Sequence, residues 1–339
     1  MPAMQFGMIG SGSWSTALAK ILTDNGNTIN WWIRNTDTIN YMHKRRHNPH
    51  YVSSAYFNTG QIILNNNITE VVEKSDVLVI GIPSAYAEEV LQQLPANALE
   101  GKKIVSAIKG ILPTDNQLLN EYLLQHFGVA LKNYFTVLGP CHAEEVAAEK
   151  LSYLTFTGVD EAVTKDIAQH FNTDYLNTRI NLDVFGVQYA AILKNIYALG
   201  AGIAHGLEYG DNFQSVYIAN AANEMVTFLR QLLSNNDCAK PKEDINYAAS
   251  VYLGDLLVTC YSLYSRNRTF GNMIGKGYSV KSAQLELNMV AEGYNASKCI
   301  YKANQAIHAN IPIATTIYEI LWEQLSAEEG FKKIETLLV

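Results

Sequence analysis

The stretch FGMIGSGSWSTALAKIL, residues 6–22, joins an apolar strand pattern to a helical pattern through a short turn that contains Gly10 and Gly12. Such a turn lets backbone N–H groups approach a pyrophosphate, and the N-terminus of the following helix adds partial positive charge. The third small position of the motif is Ser15 rather than glycine. The stretch predicts a dinucleotide site, although an ordinary strand–turn–helix unit has the same pattern.

The next residues extend this pattern to a strand–helix–strand unit. Asp24-Asn25-Gly26-Asn27 indicates the end of the helix, and residues 28–33 form a second strand pattern. Enzymes that prefer NAD usually have Asp or Glu after that strand to bind the ribose hydroxyls, whereas this chain has Arg34. Because a cation suits a 2′-phosphate, Arg34 predicts that NADP(H) is accepted and preferred, unless it is only a surface arginine.

The first 183 residues alternate between strand and helix patterns. Three apolar runs, at residues 76–82, 103–108 and 134–138, have the length and composition of buried strands. Strands separated by helices indicate a doubly wound parallel sheet of the Rossmann type. A polar segment rich in His, Arg and Asn, residues 35–67, follows the second strand. We therefore expect an α/β dinucleotide-binding domain over residues 1–183, with ligands beyond the carboxyl ends of its strands.

The sequence changes character near Asp183. Long helical patterns cover residues 186–202, 215–233, 248–264, 279–286, 294–310 and 315–324. A chain of 339 residues is long enough for two domains that each bury a core. These patterns predict an all-α second domain over residues 184–339, with the active site in the cleft between the domains.

Composition and charge argue against several classes of protein. The formal net charge of −7 leaves no basic surface for nucleic acid. The four cysteines are far apart and none forms a C-x-x-C pair, so we expect reduced thiols and no metal site. No apolar run is long enough to span a membrane, and no signal peptide precedes the first strand. A cytoplasmic protein is therefore expected.

Two groups of side chains could carry chemistry. Lys194 and Asn195 lie inside an apolar helical pattern, where partial desolvation would lower the lysine pKa and make it a usable proton donor or acceptor. The alternative is a lysine that reaches water from an amphipathic helix. Ser265-Arg266-Asn267-Arg268 is a dense donor set that suits a phosphate, or else the solvated C-terminus of a helix. Asp255 could pair with a lysine, and Lys109 adds a cation at a strand's carboxyl end.

A series of short motifs runs along the chain. They are Gly10-Ser11-Gly12-Ser13-Trp14, Lys109-Gly110, Gly139-Pro140, His142-Ala143-Glu144-Glu145, Gly186-Val187-Gln188, Lys194-Asn195, Gly210-Asp211-Asn212, Leu253-Gly254-Asp255-Leu256, Thr259-Cys260, Ser265-Arg266-Asn267-Arg268 and Val290-Ala291-Glu292-Gly293. Taken in order, these motifs resemble the bacterial NAD(P)-dependent glycerol-3-phosphate dehydrogenase family over nearly the whole length. Each stretch is weak alone, but their order and spacing together are highly specific.

The resemblance implies a role for each matching position. Lys194 corresponds to the proton acceptor for glycerol-3-phosphate oxidation. The positions implied to bind substrate are Lys109, Gly139, Cys141, Asn195, Asp255, Ser265, Arg266 and Asn267. The positions implied to bind cofactor are Gly10, Gly12, Ser13, Trp14, Arg34, Lys109, Ala143, Arg266, Val290 and Glu292. Thr259 is similar to a cleft residue of related eukaryotic enzymes. A homodimer is implied as well.

The chain departs from the family pattern at four places. Ser15 replaces the third glycine of the turn, and Cys141 stands where Ser or Thr is usual, so that a thiol replaces a stronger hydroxyl donor. Ala219-Asn220-Ala221 replaces Thr-Arg-Gly, and Ser250-Val251-Tyr252 replaces a glycine-rich turn. These changes affect the expected substrate-pocket and regulatory contacts, while the main catalytic positions are intact.

The reaction implied by the resemblance is the reversible reduction of dihydroxyacetone phosphate to sn-glycerol 3-phosphate with NADP(H) or NAD(H), which supplies glycerophospholipid synthesis. Lys194 would protonate the developing alkoxide, and Asp255 would orient Lys194. Two alternatives stay open. One is a hydroxy-acid dehydrogenase of the same architecture, against which the cations of residues 265–268 argue. The other is a catalytically silent NADP(H)-binding sensor, against which Lys194 and Asp255 argue.

Overall fold

The chain divides into two compact units in a computed structural model that describes residues 4–234, 245–287 and 291–339. The first unit comprises Met1–Ile108 and Gln117–Val184, and the second comprises Lys109–Asn116 and Phe185–Val339. The boundary predicted at residues 183/184 lies beside one of these joins. The segment Lys109–Asn116, which the sequence places in the nucleotide domain, groups with the second unit.

An eight-stranded sheet runs through the first unit. Its strands are β1 (Phe6–Ile9), β2 (Ile29–Trp32), β3 (Ile62–Asn65), β4 (Val77–Ile80), β5 (Lys103–Ser106), β6 (Tyr134–Leu138), β7 (Ser152–Thr157) and β8 (Leu176–Asn181). The order is β3-β2-β1-β4-β5-β6-β7-β8. Strands β1 to β6 pair in parallel, which confirms the predicted doubly wound sheet. Strand β7, which the sequence did not predict, pairs antiparallel with β6.

Helices connect and cover these strands. They are α1 (Ser13–Asp24), α2 (Thr36–Arg45), α3 (Ile68–Glu73), α4 (Ser84–Leu91), α5 (Leu119–Phe127), α6 (Ala143–Ala147) and α7 (Glu161–Gln169), with a short 3₁₀ helix at Leu131–Asn133. Strands β1, β2 and β4 are buried along their whole length. Such burial is typical of central parallel strands that have helices on both faces. The strand order reverses between β1 and β4, and ligands of such sheets bind at the carboxyl ends there.

The second unit is helical over its described residues. Its helices are α8 (Val184–Gly206), α9 (Asp211–Ser234), α10 (Asp255–Tyr261), α11 (Arg266–Gly275), α12 (Val280–Leu287), α13 (Glu292–Ile307), α14 (Pro312–Trp322) and α15 (Ala327–Glu335). A π-helical turn, Ser250–Gly254, leads directly into α10. The predicted all-α character of this half of the chain is confirmed. No helix of the described ranges combines the length and the apolar character that a membrane crossing requires.

Candidate active site

The turn between β1 and α1 has the backbone geometry of an anion site. Gly10 has φ +119°, and a Cβ there would lie 2.9 Å from the carbonyl oxygen of Gly81. Only glycine adopts this conformation without strain. Gly12 is the N-cap of α1, supplies no side-chain cap, and would have open space around an added Cβ. The N-terminus of α1 therefore combines uncapped N–H groups with the space that a phosphate needs.

Ser15 fits the position of the third glycine because another glycine faces it. Its Oγ donates a hydrogen bond to the carbonyl oxygen of Gly81 at 2.5 Å, directly after β4. A Cβ at Gly81 would lie 2.4 Å from this Oγ. The absence of a side chain at Gly81 thus lets α1 lie close to the sheet despite the serine. The departure from the three-glycine pattern leaves the turn intact.

Other predicted residues of the first unit follow the carboxyl ends of parallel strands. Arg34 is exposed, two residues beyond β2. Gly139 follows β6 with φ +142°, and Ala143 is the first residue of α6. The thiol of Cys141 donates to the carbonyl oxygen of Tyr153 on β7 at 3.2 Å. This contact uses the Cys141 donor within the protein, so the structure gives its predicted substrate contact no support.

Lys194 is buried in α8 and forms an ion pair with Asp255, the first residue of α10. Their exposed fractions are 3% and 1%. Burial lowers the pKa of Lys194 to about 8; the charge of Asp255 opposes this effect, whereas that of Lys109 adds to it. The alternative of a lysine that reaches water from an amphipathic helix is therefore wrong. Thr259 donates its hydroxyl to the Asp255 carbonyl oxygen at 2.5 Å, one turn along α10.

Two asparagine side chains connect three helices to the segment that contains Lys109. The Gly293 N–H donates to Asn267 Oδ1 at 2.9 Å, and Asn267 Nδ2 donates to Asn195 Oδ1 at 2.9 Å. Asn195 Nδ2 in turn donates to the carbonyl oxygen of Lys109 at 3.2 Å. Asn195 directly follows Lys194 in α8. This chain of hydrogen bonds therefore fixes the backbone at Lys109 relative to Lys194. Buried amides that are paired in this way hold one arrangement.

The donor cluster at residues 265–268 lies at the start of a helix. Ser265 is the N-cap of α11, and its side chain accepts the Arg268 N–H at 3.3 Å. The interpretation of this cluster as a helix C-terminus is wrong, because α10 ends at Tyr261 and Ser265 begins a new helix. A helix N-terminus and cations both favour an anion. Arg266 is exposed, whereas Asn267 is buried in the hydrogen-bond chain just described.

Close glycine contacts between α8 and α11 were not identified from the sequence. A Cβ at Gly202 would lie 2.0 Å from the Arg268 carbonyl oxygen, and one at Gly271 would lie 1.9 Å from the Leu199 carbonyl oxygen. Gly206 and Gly275 make the same kind of approach one turn later. The sequence did contain a signal for this packing, because the glycines of each helix are four residues apart and so lie on one face. This packing keeps the helix of Lys194 and Asn195 against the helix of Asn267.

The remaining predicted residues lie at helix starts or outside the described ranges. Ser13 and Trp14 begin α1, and Glu292 begins α13. Val290, a predicted cofactor contact, and Cys238 lie outside the described residues. Cys141, Cys260 and Cys299 form no disulfide. Within the three described ranges, no group of three His, Cys, Asp or Glu side chains is placed to hold a metal ion.

Comparisons with known proteins agree over nearly the whole chain. Residues 5–164 match the family described as NAD-dependent glycerol-3-phosphate dehydrogenase N-terminus, and residues 183–332 match its C-terminus. A protein of Lactiplantibacillus plantarum named glycerol-3-phosphate dehydrogenase [NAD(P)+] is 31% identical, covering 95% of this chain and 94% of its own. One of Macrococcus caseolyticus with that name is 31% identical, covering 98% and 97%.

Solved structures of the same class share the fold. A glycerol-3-phosphate dehydrogenase from Coxiella burnetii superposes with a TM-score of 0.85 at 24% identity, over 98% of each chain. The enzyme from Saccharomyces cerevisiae superposes with a TM-score of 0.78 at 20% identity, over 98% of this chain and 99% of that one. At these identities, the superpositions establish the architecture.

Proposed function

This chain belongs to the NAD-dependent glycerol-3-phosphate dehydrogenase family, and from that premise we propose how its own residues carry out the reaction. The protein catalyses the reversible, NAD(P)H-dependent reduction of dihydroxyacetone phosphate to sn-glycerol 3-phosphate. This product is the glycerol backbone of phospholipids, so the enzyme supplies glycerophospholipid synthesis. The buried Lys194–Asp255 ion pair is the single observation that carries the catalytic assignment.

Lys194 supplies the proton in the proposed mechanism. When bound, the reduced cofactor would supply the hydride for the new C–H bond at C2 of the substrate. The Lys194 ammonium stabilises the negative charge that develops on the C2 oxygen and then transfers a proton to it, which leaves a neutral amine that solvent reprotonates. A pKa of about 8 suits this role, because the group can give up and regain a proton near neutral pH. Asp255 orients the ammonium.

The cations and donors around Lys194 bind the rest of the substrate in this proposal. Lys109 helps to polarise the carbonyl, and its position is maintained by the hydrogen bond from Asn195. Ser265, Arg266 and Asn267 lie at the N-terminus of α11, where a phosphate receives N–H groups as well as side-chain donors. Gly139 and Cys141 are assigned to the substrate from the family resemblance alone.

The turn after β1 is the proposed site of the cofactor pyrophosphate. Gly10 and Gly12 leave it open, and the uncapped N-terminus of α1 supplies donors. The other proposed cofactor contacts are Ser13, Trp14, Arg34, Lys109, Ala143, Arg266, Val290 and Glu292. Arg34 makes no hydrogen bond or ion pair with a described residue, which leaves its guanidinium for a 2′-phosphate.

The preference for NADPH can be tested at Arg34. If Arg34 selects NADPH, the Arg34→Asp variant should have a higher KM for NADPH relative to its KM for NADH. An unchanged ratio of the two KM values overturns this assignment.

We also propose that the chain acts in the cytoplasm as a homodimer. Family membership supports the dimer, and the lack of a membrane-crossing helix among the described residues is consistent with the location. Light scattering tests the assembly directly: a mass of two chains at micromolar concentration is expected, and a monomer would contradict the proposal.

Steady-state turnover of each reduced cofactor with dihydroxyacetone phosphate tests the function. We expect Lys194→Met to lower kcat about a thousandfold, as loss of a general acid does, while NADPH still binds. Lys20→Met is the matched control, because Lys20 is also buried and ion-paired, with Asp24. Faster NADPH oxidation with a plain keto acid would favour the hydroxy-acid alternative. A wild-type protein that binds NADPH without turnover would favour the sensor.

A further inference from the structure

Asn48 is a fully buried polar side chain that contacts the glycine turn from a distant part of the sequence. Its exposed fraction is 0%, and it lies in the loop that follows α2. The carboxamide Nδ2 donates to the carbonyl oxygen of Ser11 and to Thr16 Oγ1, each at 3.0 Å. Its Oδ1 accepts the N–H groups of His50 at 3.0 Å and Tyr51 at 3.2 Å. Every polar atom of the carboxamide is thus paired within the protein.

These contacts determine which way the peptide groups of the turn face. In a trans peptide the C=O and the following N–H point in opposite directions. Because Asn48 binds the Ser11 carbonyl oxygen, the Gly12 N–H points away from Asn48. The indole N–H of Trp31 binds the Gly10 carbonyl oxygen in the same way, at 2.7 Å, so the Ser11 N–H points away from Trp31. No acceptor among the described residues receives the Ser11 or the Gly12 N–H.

Because Gly10 and Gly12 flank Ser11, the turn itself does not hold the Ser11–Gly12 peptide in this orientation, and a contact from outside the turn is needed. A peptide beside glycine rotates easily, because no Cβ restricts φ and ψ. Rotation of the Ser11–Gly12 peptide would replace an N–H with a carbonyl oxygen on the side that faces an anion, where it would repel a phosphate. The hydrogen bond from Asn48 opposes this rotation before any ligand arrives. A site that is fixed in advance binds more tightly, since binding no longer has to order it.

We propose that Asn48 is a positioning residue for the cofactor: it orients the Ser11–Gly12 peptide so that the Gly12 N–H is presented to the pyrophosphate. This role rests on the proposed binding of the pyrophosphate at the turn. Asn48 acts through the backbone and does not touch the cofactor itself. The loop after α2 therefore contributes to cofactor affinity.

Two substitutions separate the donors of Asn48 from its acceptor. Asn48→Asp removes both donors but keeps an oxygen for the His50 and Tyr51 N–H groups, and Asn48→Ala removes donors and acceptor without adding charge. Asn30→Ala is the matched control, because Asn30 is also buried and donates to a backbone carbonyl oxygen, that of Lys74 at 3.1 Å, and to the Ser75 hydroxyl at 3.4 Å.

Calorimetric titration with ADP-ribose, which contains the pyrophosphate but no nicotinamide, measures the effect without turnover. We expect both Asn48 variants to bind ADP-ribose about tenfold more weakly than wild type, the value of one ordinary hydrogen bond. The KM for NADPH or NADH should rise by a similar factor, whereas the KM for dihydroxyacetone phosphate should change less than twofold. Asn30→Ala should lower the melting temperature and leave the ADP-ribose Kd within twofold of wild type.

The possible outcomes distinguish this inference from the proposed function. A wild-type protein that fails to bind ADP-ribose contradicts pyrophosphate binding itself. Wild-type binding together with an unchanged Kd in the folded Asn48 variants overturns the role of Asn48 alone. Equal weakening by Asn30→Ala would also overturn it, because the effect would then follow from general loss of stability. If Asn48→Asp does not fold, the comparison of Asn48→Ala with Asn30→Ala decides the question.

Discussion

The pKa of Lys194 results from opposing effects within a few residues. Burial in α8 disfavours the ammonium, the positive charge of Lys109 disfavours it further, and the carboxylate of Asp255 favours it. The outcome, a pKa of about 8, leaves most of the side chain protonated at neutral pH. A lysine with its ordinary pKa would hold its proton too strongly to serve as an efficient acid.

Turnover should depend on pH with opposite sign in the two directions. Reduction of dihydroxyacetone phosphate needs protonated Lys194, so its kcat should fall as pH rises through about 8. Oxidation of glycerol 3-phosphate needs the neutral amine, so its kcat should rise through the same range. Rate profiles from pH 6 to 10 with saturating substrates measure both limbs. Limbs that move in the same direction would exclude Lys194 as the titrating group.

Substitution of the neighbouring charges should move this pKa in opposite directions. Asp255→Asn removes the charge that raises the pKa of Lys194, so the alkaline limb of reduction should move to lower pH. Lys109→Met removes a charge that lowers it, so the limb should move to higher pH. Both variants also lose activity, but a purely structural loss would leave the midpoints where they are. Midpoints that coincide with wild type would contradict the assigned couplings.

At the scale of elements, the site depends on how closely α8 and α11 approach. Backbone carbonyl oxygens of each helix occupy the space that a Cβ on the other would need, at Gly202 and Gly271. This close approach places Asn195 and Asn267 within hydrogen-bond distance across the two helices. Substitution of these glycines should therefore separate the helices.

Gly271→Ala should destabilise the protein by about 3 kcal/mol, as overpacking in a rigid core does, because the added methyl meets the Leu199 carbonyl oxygen. Gly210→Ala is the matched control, since nothing lies within 4 Å of a Cβ at Gly210. The free energy of unfolding of Gly210→Ala should remain within about 1 kcal/mol of the wild-type value. Urea unfolding of both variants measures the difference. Equal stability of the two variants would show that α11 can move away without cost.

The elements that could be predicted from the sequence are those whose pattern is complete within one segment. The central strands, such as Val77–Ile80, are apolar along their whole length because they are buried on both faces. Three strands, β3, β7 and β8, were not predicted. Strands β3 and β8 form the two edges of the sheet, where half-exposed residues mix polar with apolar side chains. Strand β3 was not recognised for this reason, because it lies in the polar segment 35–67, which also contains α2.

The candidate site was predictable only in part, for a related reason. The sequence singled out Lys194 inside an apolar run and Asp255 as a residue that could pair with a lysine. The structure pairs the two. The roles of Asn48 and Gly271 depend on backbone atoms that are distant in sequence. No helix was predicted over α11, whose N-cap, Ser265, lies only four residues after α10 ends. No local periodicity encodes such contacts.

At the scale of the whole molecule, stability should respond to the protonation of Glu224. This buried carboxylate of α9 accepts the N–H groups of Ile313 at 2.5 Å and Ala314 at 3.2 Å, and so caps α14 from another helix. The hydroxyl of Tyr197 donates to it at 3.3 Å. Burial outweighs these contacts and raises the pKa of Glu224 from 4.5 to about 7.

The sign of this effect follows from the raised pKa. Between about pH 4.5 and 7 the folded protein holds a proton that the unfolded chain releases, so the contribution of Glu224 to stability is lost as pH rises. Relative to Glu224→Gln, wild type should lose about 2 kcal/mol of unfolding free energy from pH 5 to pH 8. Urea unfolding at the two pH values measures it. A constant difference between wild type and variant would show that Glu224 does not titrate in this range.

The contact between Ser15 and Gly81 makes the order of substitutions at these positions matter. Any side chain added at Gly81 meets the Ser15 Oγ at 2.4 Å, whereas loss of that hydroxyl first would open the space. A lineage can therefore pass through glycine at position 15 before it varies position 81, whereas in the reverse order the Ser15 hydroxyl must first give up its hydrogen bond to the Gly81 carbonyl oxygen. A library that randomises both positions jointly should recover combinations that two separate single-site libraries never contain.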